Sequence, residues 1–545
     1  MRWDHSYDVV VVGSGAAGLA TALTAQLHGL SAVVVEKTGK YGGSSALSGG
    51  AIWVPGNLYL DGTELRDTRE EARTYLKSTV GERVPEERRE AYLDRGPEMV
   101  RFLHERTRHV RFEYTPGYAD YFPELPGGKA LGRSVEPALF DLRQLGALRR
   151  IMRRAELPTY GMVMNSREFH KVNMITRTWR GRRMALKIGL RAVASLVTGA
   201  RWAALGEALV GRLSLSLAEA GGRIWVNTPF EDLVVEDGRV TGIRAGGKTI
   251  QAKGGVVLAA GGFSHSQELR ERYLPQPTDA RWSSASEGQT GDVLGAALRA
   301  GAALDLMDRV WGMPAAVPPG EKPVFLVTDR AVPGMIVVDP RGERFVNEAA
   351  PYHQFVDTMY AKDAVHSWMV IDSRTKNRYI MLNHFPGQPF KAAWLKSGFV
   401  KKAGTVEELA RRMGVEPAKL AATVERFNGL ARLGRDEDFG RGDSAYDRYY
   451  GDPTLPAPNL APLDKGPFYA IPLVPGDIGT KGGVLTDVRA RVLREDGTAI
   501  EGLYAAGNVS AAVMGETYPG PGATLGPAMT FGYVAATDIH THLNP

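Results

Sequence analysis

Residues 7–18 read YDVVVVGSGAAG, and this stretch decides the fold of the chain. A short, continuously apolar run rich in valine is typical of a buried strand in a parallel sheet. The glycine-rich turn after it leads into a helical run, LATALTAQLHG, and a second apolar strand, SAVVVE, ends at Glu36. The order of strand, glycine turn, helix and strand predicts a βαβ unit.

The spacing of the glycines indicates what this unit binds. Gly13 makes the tight turn, Gly15 lets the backbone approach a pyrophosphate, and Gly18 lets helix and strand pack closely. Glu36 falls at the end of the second strand, where its carboxylate can accept hydrogen bonds from ribose hydroxyls. The pattern predicts a dinucleotide site whose phosphate-binding turn comprises Gly13, Ser14, Gly15, Ala16, Ala17 and Gly18.

The next segment favours FAD over NAD as the dinucleotide. Residues 37–55, KTGKYGGSSALSGGAIWVP, are dense in small and hydroxyl side chains. Such side chains permit close approach of a flat, polar ring system and its ribityl chain. The residues of this segment that we expect to contact FAD are Lys37, Gly43, Ser44, Ser45, Ser48, Gly49 and Gly50.

The composition excludes several classes of site. The chain has 545 residues, 43% of them hydrophobic, and no cysteine. That excludes disulfides, thiolate metal sites, iron–sulfur clusters and a flavin tethered through a cysteine sulfur, and we expect non-covalent FAD. The eleven histidines show no HExxH or similar spacing, so no metal site is predicted. No signal peptide and no run of about 18 apolar residues is evident, and we expect a cytoplasmic protein that is soluble or peripherally membrane-bound.

Later segments repeat the pattern of apolar strands that end in small or polar residues. Residues 223–226 and 230–235 alternate like strands of a small meander, and residues 254–266 form another apolar strand ending in glycines. Residues 502–513 supply one more strand. Three residues beside these strand ends are further predicted FAD contacts: Ala260, Gly261 and Asn508.

A region of different character interrupts these segments. It holds its own helix (291–305), a strand-like stretch (333–347) and a helical pair (405–434). We therefore predict an α/β fold with a Rossmann-type FAD-binding domain over residues 1–291 and 466–545. An α+β catalytic domain over residues 292–465 is inserted into it, and the active site is expected between the two domains.

Positive charge is concentrated in one segment, residues 143–201. Fourteen Lys and Arg residues face two acids there, a local balance of +12 in a chain whose net charge is +6. The arginines of its first part have the spacing expected on one helix: Arg149, Arg150, Arg153 and Arg154. Residues 185–202, ALKIGLRAVASLVTGARW, then combine apolar and basic side chains, a pattern typical of helices at anionic membrane surfaces. The alternative is a solvated cap on the FAD domain, and no module accompanies the patch that would predict a nucleic-acid partner.

Six blocks resemble, in order, the 3-ketosteroid Δ1-dehydrogenases of the fumarate reductase and succinate dehydrogenase flavoprotein superfamily. These blocks are YGGSSALSGGAIWVPGN, PGGKALGRSVEP, RGERFVNEAAPY, RFNGLARLGRDEDFGRGDSAYDRYYGDP, GDIGTKGGVLTD and YAAGNVSAAVMGETYPGPGATLGPAMTFGY. The resemblance implies an FAD enzyme that introduces a C1–C2 double bond into ring A of a 3-oxosteroid. It also implies a helix that begins near Ala523 and points its amino terminus at the flavin, so Ala523 and Leu525 become predicted FAD contacts.

The resemblance also implies the catalytic residues, Tyr121, Tyr352, Tyr518 and Gly522. The reaction removes a proton from C2, which the ketone acidifies, and a hydride from C1. Two donors on the C3 oxygen, the Tyr518 hydroxyl and the Gly522 N–H, would stabilise the enolate. Tyr352 would take the C2 proton as tyrosinate or through a relay with Tyr121, and flavin N5 would take the hydride.

Two alternatives stay open at this point. One is a neighbouring chemistry: a 3-oxo-5α-steroid 4-dehydrogenase or another flavin ene-reductase. The other is a flavin-binding electron carrier without steroid chemistry. For the leading hypothesis the expected partners are a 3-oxosteroid, an unidentified electron acceptor and an anionic membrane surface.

Overall fold

The computed structural model describes residues 2–155 and 162–544. Helices connect and cover the sheets throughout these ranges. The helices within them are α1 Ala16–Leu27, α2 Arg69–Val80, α3 Glu86–Arg106, α4 Leu148–Ile151, α5 Ser166–Val172, α6 Trp179–Thr198, α7 Leu205–Glu219, α8 Gln267–Tyr273, α9 Asp292–Arg299, α10 Tyr352–Ala361, α11 Ser373–Arg378, α12 Ala392–Lys396, α13 Val406–Met413, α14 Pro417–Leu433, α15 Ala445–Tyr449 and α16 Leu525–Leu543.

An eight-stranded sheet contains the predicted βαβ unit. Its strands are β1 His5–Val12, β2 Ala32–Val35, β8 Arg223–Trp225, β9 Phe230–Glu236, β10 Arg239–Ala245, β11 Lys248–Leu258, β20 Arg491–Leu493 and β21 Ala499–Ala505. The spatial order is β20-β21-β11-β1-β2-β8, and β10 pairs with both β11 and β9. The five strands from β21 to β8 run parallel.

The apolar run of β1 is explained by burial on both faces. Val9 and Val11 belong to one apolar cluster, whereas Val10 and Val12 belong to another on the opposite face. Alternate side chains of a strand point to opposite faces, so a strand between two cores must be apolar at every position. The predicted α/β class is confirmed.

A six-stranded antiparallel sheet forms the centre of the second half. Its strands are β13 Val310–Ala316, β14 Val324–Phe325, β15 Met335–Val338, β16 Ser367–Asp372, β17 Lys401–Ala403 and β18 Phe468–Thr480. Strand β18 pairs with β13, β16 and β17, and residues of α9 instead pack in a cluster of the first sheet. The division at residues 292 and 465 stays a prediction. Because α9 packs with the first sheet and β13 and β18 span Val310–Ala316 and Phe468–Thr480, we propose that the chain crosses between the domains near residues 309 and 480.

Small sheets complete the architecture and fix the loop that carries Tyr121. They pair β3 Ile52–Trp53 and β4 Phe112–Tyr114 with β5 Ser134–Pro137, β6 Phe140–Asp141 with β7 Trp202–Ala203, and β12 Leu304–Asp305 with β19 Gly483–Val484. Buried Asp120 accepts a hydrogen bond from the Trp53 indole at 2.7 Å and pairs with buried Arg133. Burial raises the pKa of Asp120 to about 6. This ion pair holds the backbone next to Tyr121.

Two predicted elements are shorter than expected, the helix over 291–305, which covers only Asp292–Arg299, and the strand-like stretch 333–347. The strand-like stretch 333–347 is a strand only over Met335–Val338, because Asp339 accepts hydrogen bonds from the backbone N–H groups of Arg341 and Glu343 and turns the chain. The helix expected near Ala523 begins at Leu525. The helical pair 405–434 is confirmed as α13 and α14.

The basic segment contains two short helices, α4 and α5, a long one, α6, and a stretch, 156–161, that lies outside the described residues. The prediction that four arginines share one helix is wrong: α4 includes Arg149 and Arg150 only. Arg153 donates to the Thr38 hydroxyl at 3.1 Å, and Arg154 pairs with Glu207 at 3.0 Å. These contacts hold the chain in an extended form. Among the described helices, each is too short or too polar to cross a membrane.

Candidate active site

The glycine turn after β1 forms a cradle at the amino terminus of α1. Gly13 has a φ of +107°, and a Cβ there would lie 2.4 Å from the Ala259 carbonyl oxygen, so only glycine fits. A Cβ on Gly18 would lie 2.0 Å from the Gly13 carbonyl oxygen. At Gly15, in contrast, a Cβ would meet only the Ser45 hydroxyl, at 3.3 Å. The backbone therefore leaves room beside Gly15, as a phosphate requires.

The first turn of α1 presents N–H groups to this cradle. Gly15 is the residue before the helix, and no side chain caps the amino terminus of the helix. The N–H of Ala16 donates to the Ser45 hydroxyl at 2.9 Å, and Ala17 and Gly18 are buried in the same turn. The N–H groups of a first helical turn have no partner within the helix, and the helix dipole adds positive potential. This end of α1 therefore favours an anion.

Glu36 closes the cradle at the end of β2. Its carboxylate accepts from the Ser14 hydroxyl at 2.5 Å and from both the N–H and the hydroxyl of Thr38 at 2.9 Å. Ser14 in turn accepts from the Gly42 N–H at 3.0 Å. A carboxylate has about four acceptor sites, so these three donors leave one for a ribose hydroxyl.

Lys37 and Ser44 connect the predicted cofactor loop to later segments. The Lys37 ammonium lies 2.6 Å from an Asp292 carboxylate oxygen at the start of α9. The Ser44 hydroxyl accepts from the Ser286 N–H at 2.7 Å and from the Gln289 side-chain amide at 2.5 Å. The structure thus commits the Lys37 charge to Asp292, and Lys37 as a direct FAD contact stays a prediction.

The remaining hydroxyls of this loop fix its own backbone. The Ser48 hydroxyl donates to the Ser45 carbonyl at 2.7 Å and accepts from the Gly50 N–H at 3.0 Å. Gly43 begins a 3-10 turn, Gly43–Leu47. A Cβ on Gly49 would have no neighbour within 4 Å, so this glycine faces open space. These hydrogen bonds fix the backbone of the loop, and Gly49 leaves open space beside it.

Of the later predicted contacts, Ala260 and Gly261 adjoin the same cradle, whereas Asn508 lies beside Trp311 and Ala523 and Leu525 lie at the start of α16. The Ala260 Cα would lie 2.6 Å from a Cβ on Gly13, so the ends of β11 and β1 meet, and Gly261 follows at once. The Asn508 side-chain oxygen accepts from the Trp311 indole at 3.3 Å. Ala523 lies in the turn before α16, which begins at Leu525 without a side-chain cap.

These features fit FAD. The open glycine turn and the helix start suit a pyrophosphate, Glu36 retains an acceptor site for ribose, and Gly49 leaves open space beside the loop. At the start of α16 the N–H groups of Gly526 and Ala528 donate to the carbonyls of Gly522 and Thr524, and Pro527 has no N–H, so what this end offers an anionic reduced ring is the dipole of the helix.

Three tyrosines from distant parts of the chain meet in one buried cluster. Tyr121 lies in the loop behind β4, Tyr352 begins α10, and Tyr518 precedes α16. The Tyr121 hydroxyl donates a hydrogen bond to the Tyr352 hydroxyl. The ring centroid of Tyr518 lies 5.0 Å from that of Tyr121 and 5.5 Å from that of Tyr352. The structure brings together the three tyrosines that the sequence singled out.

Gly522 belongs to this cluster through its backbone. Burial raises the pKa of Tyr518, while hydrogen bonds from the Tyr352 and Thr524 side chains and from the Gly522 backbone lower it. Both predicted donors, the Tyr518 hydroxyl and the Gly522 N–H, therefore lie at one spot. Two adjacent donors suit an oxygen that gains negative charge.

The hydroxyls of Tyr121 and Tyr352 form a hydrogen-bonded pair with its own electrostatic environment. Burial raises the pKa of Tyr121 and of Tyr352 well above the usual value of 10.0. The hydrogen bond from Tyr121 acts in the opposite direction on the pKa of Tyr352. Tyr352 is therefore the one of the pair that its partner prepares for loss of a proton.

Sequence reasoning missed several residues of this cluster. The Tyr446 ring lies 4.9 Å from that of Tyr121, and the Trp311 ring lies 4.8 Å from that of Tyr518. The Lys481 ammonium lies 4.4 Å from the Trp311 ring centroid and is fully buried. Tyr446 lies in the stretch SAYDRYY and Lys481 in the stretch GTKGG. Nothing in these stretches indicates that the two side chains reach the tyrosine cluster. Within residues 2–155 and 162–544, no cluster of three or more acidic or histidine side chains could hold a metal.

Comparisons with known proteins agree with this geometry. The model of the FAD binding domain family matches residues 8–525, which confirms the FAD prediction. The 3-oxosteroid 1-dehydrogenase of Mycolicibacterium smegmatis is 47% identical, with 98% of this chain and 97% of that protein covered. The 4-oxocyclohex-2-ene-1-carboxylate 5-dehydrogenase of Sinomonas cyclohexanicum is 38% identical over 98% of this chain and 93% of its own.

A solved structure extends the agreement to three dimensions. The 3-ketosteroid Δ1-dehydrogenase of Sterolibacterium denitrificans, in complex with 1,4-androstadiene-3,17-dione, matches with a TM-score of 0.93 and 42% identity. The match covers 99% of this chain and all of the other. By sequence and by fold, the chain therefore belongs to the FAD-binding flavoprotein family of the 3-oxosteroid 1-dehydrogenases.

Proposed function

We propose that this chain is an FAD-dependent 3-oxosteroid 1-dehydrogenase, which forms the C1–C2 double bond of ring A. The observation that carries the proposal is the buried meeting of Tyr121, Tyr352 and Tyr518 beside Gly522. Relatives of nearly the same length are named for this activity, and the solved relative holds a 1,4-diene steroid.

The first task of the site is to stabilise an enolate. The C3 oxygen of the steroid accepts from the Tyr518 hydroxyl and the Gly522 N–H, which act on one spot. Because Tyr518 is only 2% exposed, these donors work without competition from bulk water. One such donor typically contributes a factor of about 10²–10³ in rate.

The second task is to remove the C2 proton. Tyr352 accepts it, since the hydrogen bond from Tyr121 stabilises the Tyr352 oxygen when it carries negative charge. The Tyr121 hydroxyl offers a path along which that proton can leave. FAD, held by the cradle around Gly15, supplies the two-electron oxidation, and an electron acceptor outside this chain completes the cycle.

The proposal includes docking of the basic segment on an anionic membrane. Large apolar side chains of α6 face solvent: Trp179 is 70% exposed, Leu196 is 85% exposed and Val197 is 83% exposed. Basic residues of the same helix are also exposed and could contact lipid headgroups, namely Arg180, Arg182, Arg183 and Lys187. An apolar face with flanking cations is the pattern of an interfacial helix, and a steroid partitions into the same membrane.

The activity can be tested by an anaerobic titration of the FAD-loaded protein. We expect androst-4-ene-3,17-dione to bleach the flavin absorbance, with the 1,4-diene recovered in amounts equal to the bleached flavin. Bleaching only by a 5α-saturated ketone would instead indicate C4–C5 chemistry. Bleaching only by 4-oxocyclohexanecarboxylate would indicate the substrate of the smaller-ring relatives, and no bleaching by any of the three would leave an electron carrier.

A further inference from the structure

A cavity separate from the tyrosine cluster lies against the segment that joins Asn508 to Tyr518. Its volume is about 440 Å³, within the range of about 300–1,000 Å³ that small-molecule sites occupy. The connection between α2 and α3, the first turn of α3 and the chain around β12 and β20 supply its walls. Ala511 and Ala512 close it on the side of the Asn508–Tyr518 segment.

One wall carries a buried arginine without an anionic partner. Arg88 is 6% exposed, and its Nη1 donates to the Ala511 carbonyl at a long 3.3 Å. Its Nε has no hydrogen-bond partner, and no ion pair of Arg88 is formed within residues 2–155 and 162–544. The guanidinium carbon lies 5.3 Å from the Phe531 ring. Burial lowers the pKa of Arg88 to about 10, which reflects the cost of keeping this charge away from water.

Four other charges of the cavity are already paired, whereas Glu87, which also lines it, is exposed and forms no ion pair within residues 2–155 and 162–544. Arg83 forms an ion pair with Asp305, and Arg491 forms one with Asp487 at 2.7 Å. The carboxylates of Asp487, Asp305 and Glu87 attract Arg88 without forming an ion pair with it. Among the positive charges that line the cavity, Arg88 is therefore the one that has no paired carboxylate in the described residues.

A hydroxyl group adds a second buried polar atom without a hydrogen-bond partner. Thr486 also lines the cavity, is 2% exposed, and its Oγ1 has no hydrogen-bond partner. Unpartnered polar groups at such depth are uncommon and costly. Arg88 and Thr486 reach the same cavity from different elements, α3 and the segment after β19.

We propose that this cavity binds an oxyanion carried on a small apolar body, such as a short-chain carboxylate or an alkyl phosphate. A guanidinium presents a fork of donors that matches two oxygens of such a group, and the Thr486 hydroxyl supplies another donor. Val84, Leu306 and Val488 line the cavity with apolar surface for the remainder of the ligand. The proposal is independent of the steroid chemistry, because none of these side chains belongs to the tyrosine cluster.

Calorimetric titration of the FAD-loaded protein tests this site. The probes are octanoate, octyl phosphate and neutral octan-1-ol. We expect one or both anions to bind and octanol not to bind, and their relative affinity distinguishes a carboxylate from a phosphate ligand. Arg88→Met should weaken anion binding about tenfold or more, as expected for loss of hydrogen bonds to a charged group.

The matched control is Arg89→Met, which alters the next residue of α3. Arg89 is 8% exposed but does not line the cavity, so this variant should bind the anions as the wild type does. If Arg88→Met fails to fold, Thr486→Val should weaken the same binding. No anion binding to the wild type would mean that water alone fills the cavity and would overturn the proposal. Equal binding of octanol, or unchanged binding by Arg88→Met or by Thr486→Val, would overturn it as well.

Discussion

Replacing Tyr518 with phenylalanine removes one of the two proposed enolate donors, together with the hydroxyl that accepts hydrogen bonds from Tyr352, Thr524 and the Gly522 backbone. The Tyr518 ring packs on Trp311 at 4.8 Å, on Tyr121 at 5.0 Å and on Tyr352 at 5.5 Å, and a phenylalanine ring keeps these contacts. Loss of the buried hydroxyl should cost about 0.5–1.5 kcal/mol of folding free energy. Loss of an oxyanion donor should raise the barrier by about 2.7–4 kcal/mol, a factor of about 10²–10³ in kcat.

The assay is turnover of androst-4-ene-3,17-dione with an artificial electron acceptor, normalised to the bound FAD measured by absorbance. Tyr379→Phe is the matched control, because Tyr379 is also buried and donates one side-chain hydrogen bond, to Asp452, which keeps Arg177 as a partner. We expect near wild-type turnover from the control. Turnover of Tyr518→Phe within about threefold of the wild type, where a loss of about 10²–10³ is expected, would refute the role of this hydroxyl.

Three further predictions concern the base, the cofactor and the basic segment. Burial raises the pKa of Tyr352, so Tyr352 is largely protonated at neutral pH and its deprotonated form becomes more abundant as the pH increases; kcat should therefore rise from about pH 7 to about pH 10. Because the hydrogen bond from Tyr121 lowers the pKa of Tyr352, Tyr121→Phe should move the pH profile of kcat to higher pH. A flat profile, or a shift to lower pH in this variant, would contradict the assignment of Tyr352 as the base. Glu36→Ala should weaken FAD retention by about 1.5–3 kcal/mol per lost ribose hydrogen bond, seen as a lower flavin-to-protein absorbance ratio after gel filtration, and an unchanged ratio would argue against a ribose contact. The protein should cosediment with anionic liposomes at low salt and less at high salt. The double variant Leu196→Ser with Val197→Ser should abolish cosedimentation, whereas the control Leu433→Ser, which alters a residue of α14 that is 74% exposed, should leave it unchanged. Failure of the wild type to cosediment would exclude docking.

The sequence predicts those parts of the fold that depend on local patterns. The valine run of β1 predicts a strand buried on both faces, and the spacing of the glycines after it predicts a tight turn before a helix. Both patterns are local, so both elements could be predicted without the structure. The helix spacing of Arg153 and Arg154 misled because their side chains bind Thr38 and Glu207, which tertiary packing brings near.

The candidate site divides in the same way. Tyr121, Tyr352 and Tyr518 could be named because their sequence blocks resemble a family, but no property of the residues themselves places them within 6 Å of one another. Tyr446 and Lys481 join the cluster only through long-range folding. Such contacts between segments hundreds of residues apart leave no periodic signal in the sequence.

The most direct test of the tyrosine site is exchange of the C2 hydrogen of the steroid with solvent. The FAD-loaded protein is incubated anaerobically with a 3-oxosteroid in deuterated buffer, and NMR follows deuterium at C2. Proton removal by Tyr352 predicts exchange by the wild type, loss of exchange in Tyr352→Phe, and slower exchange in Tyr518→Phe, which lacks the enolate donor. Exchange by Tyr352→Phe at the wild-type rate would show that another group is the base and would contradict the proposed site.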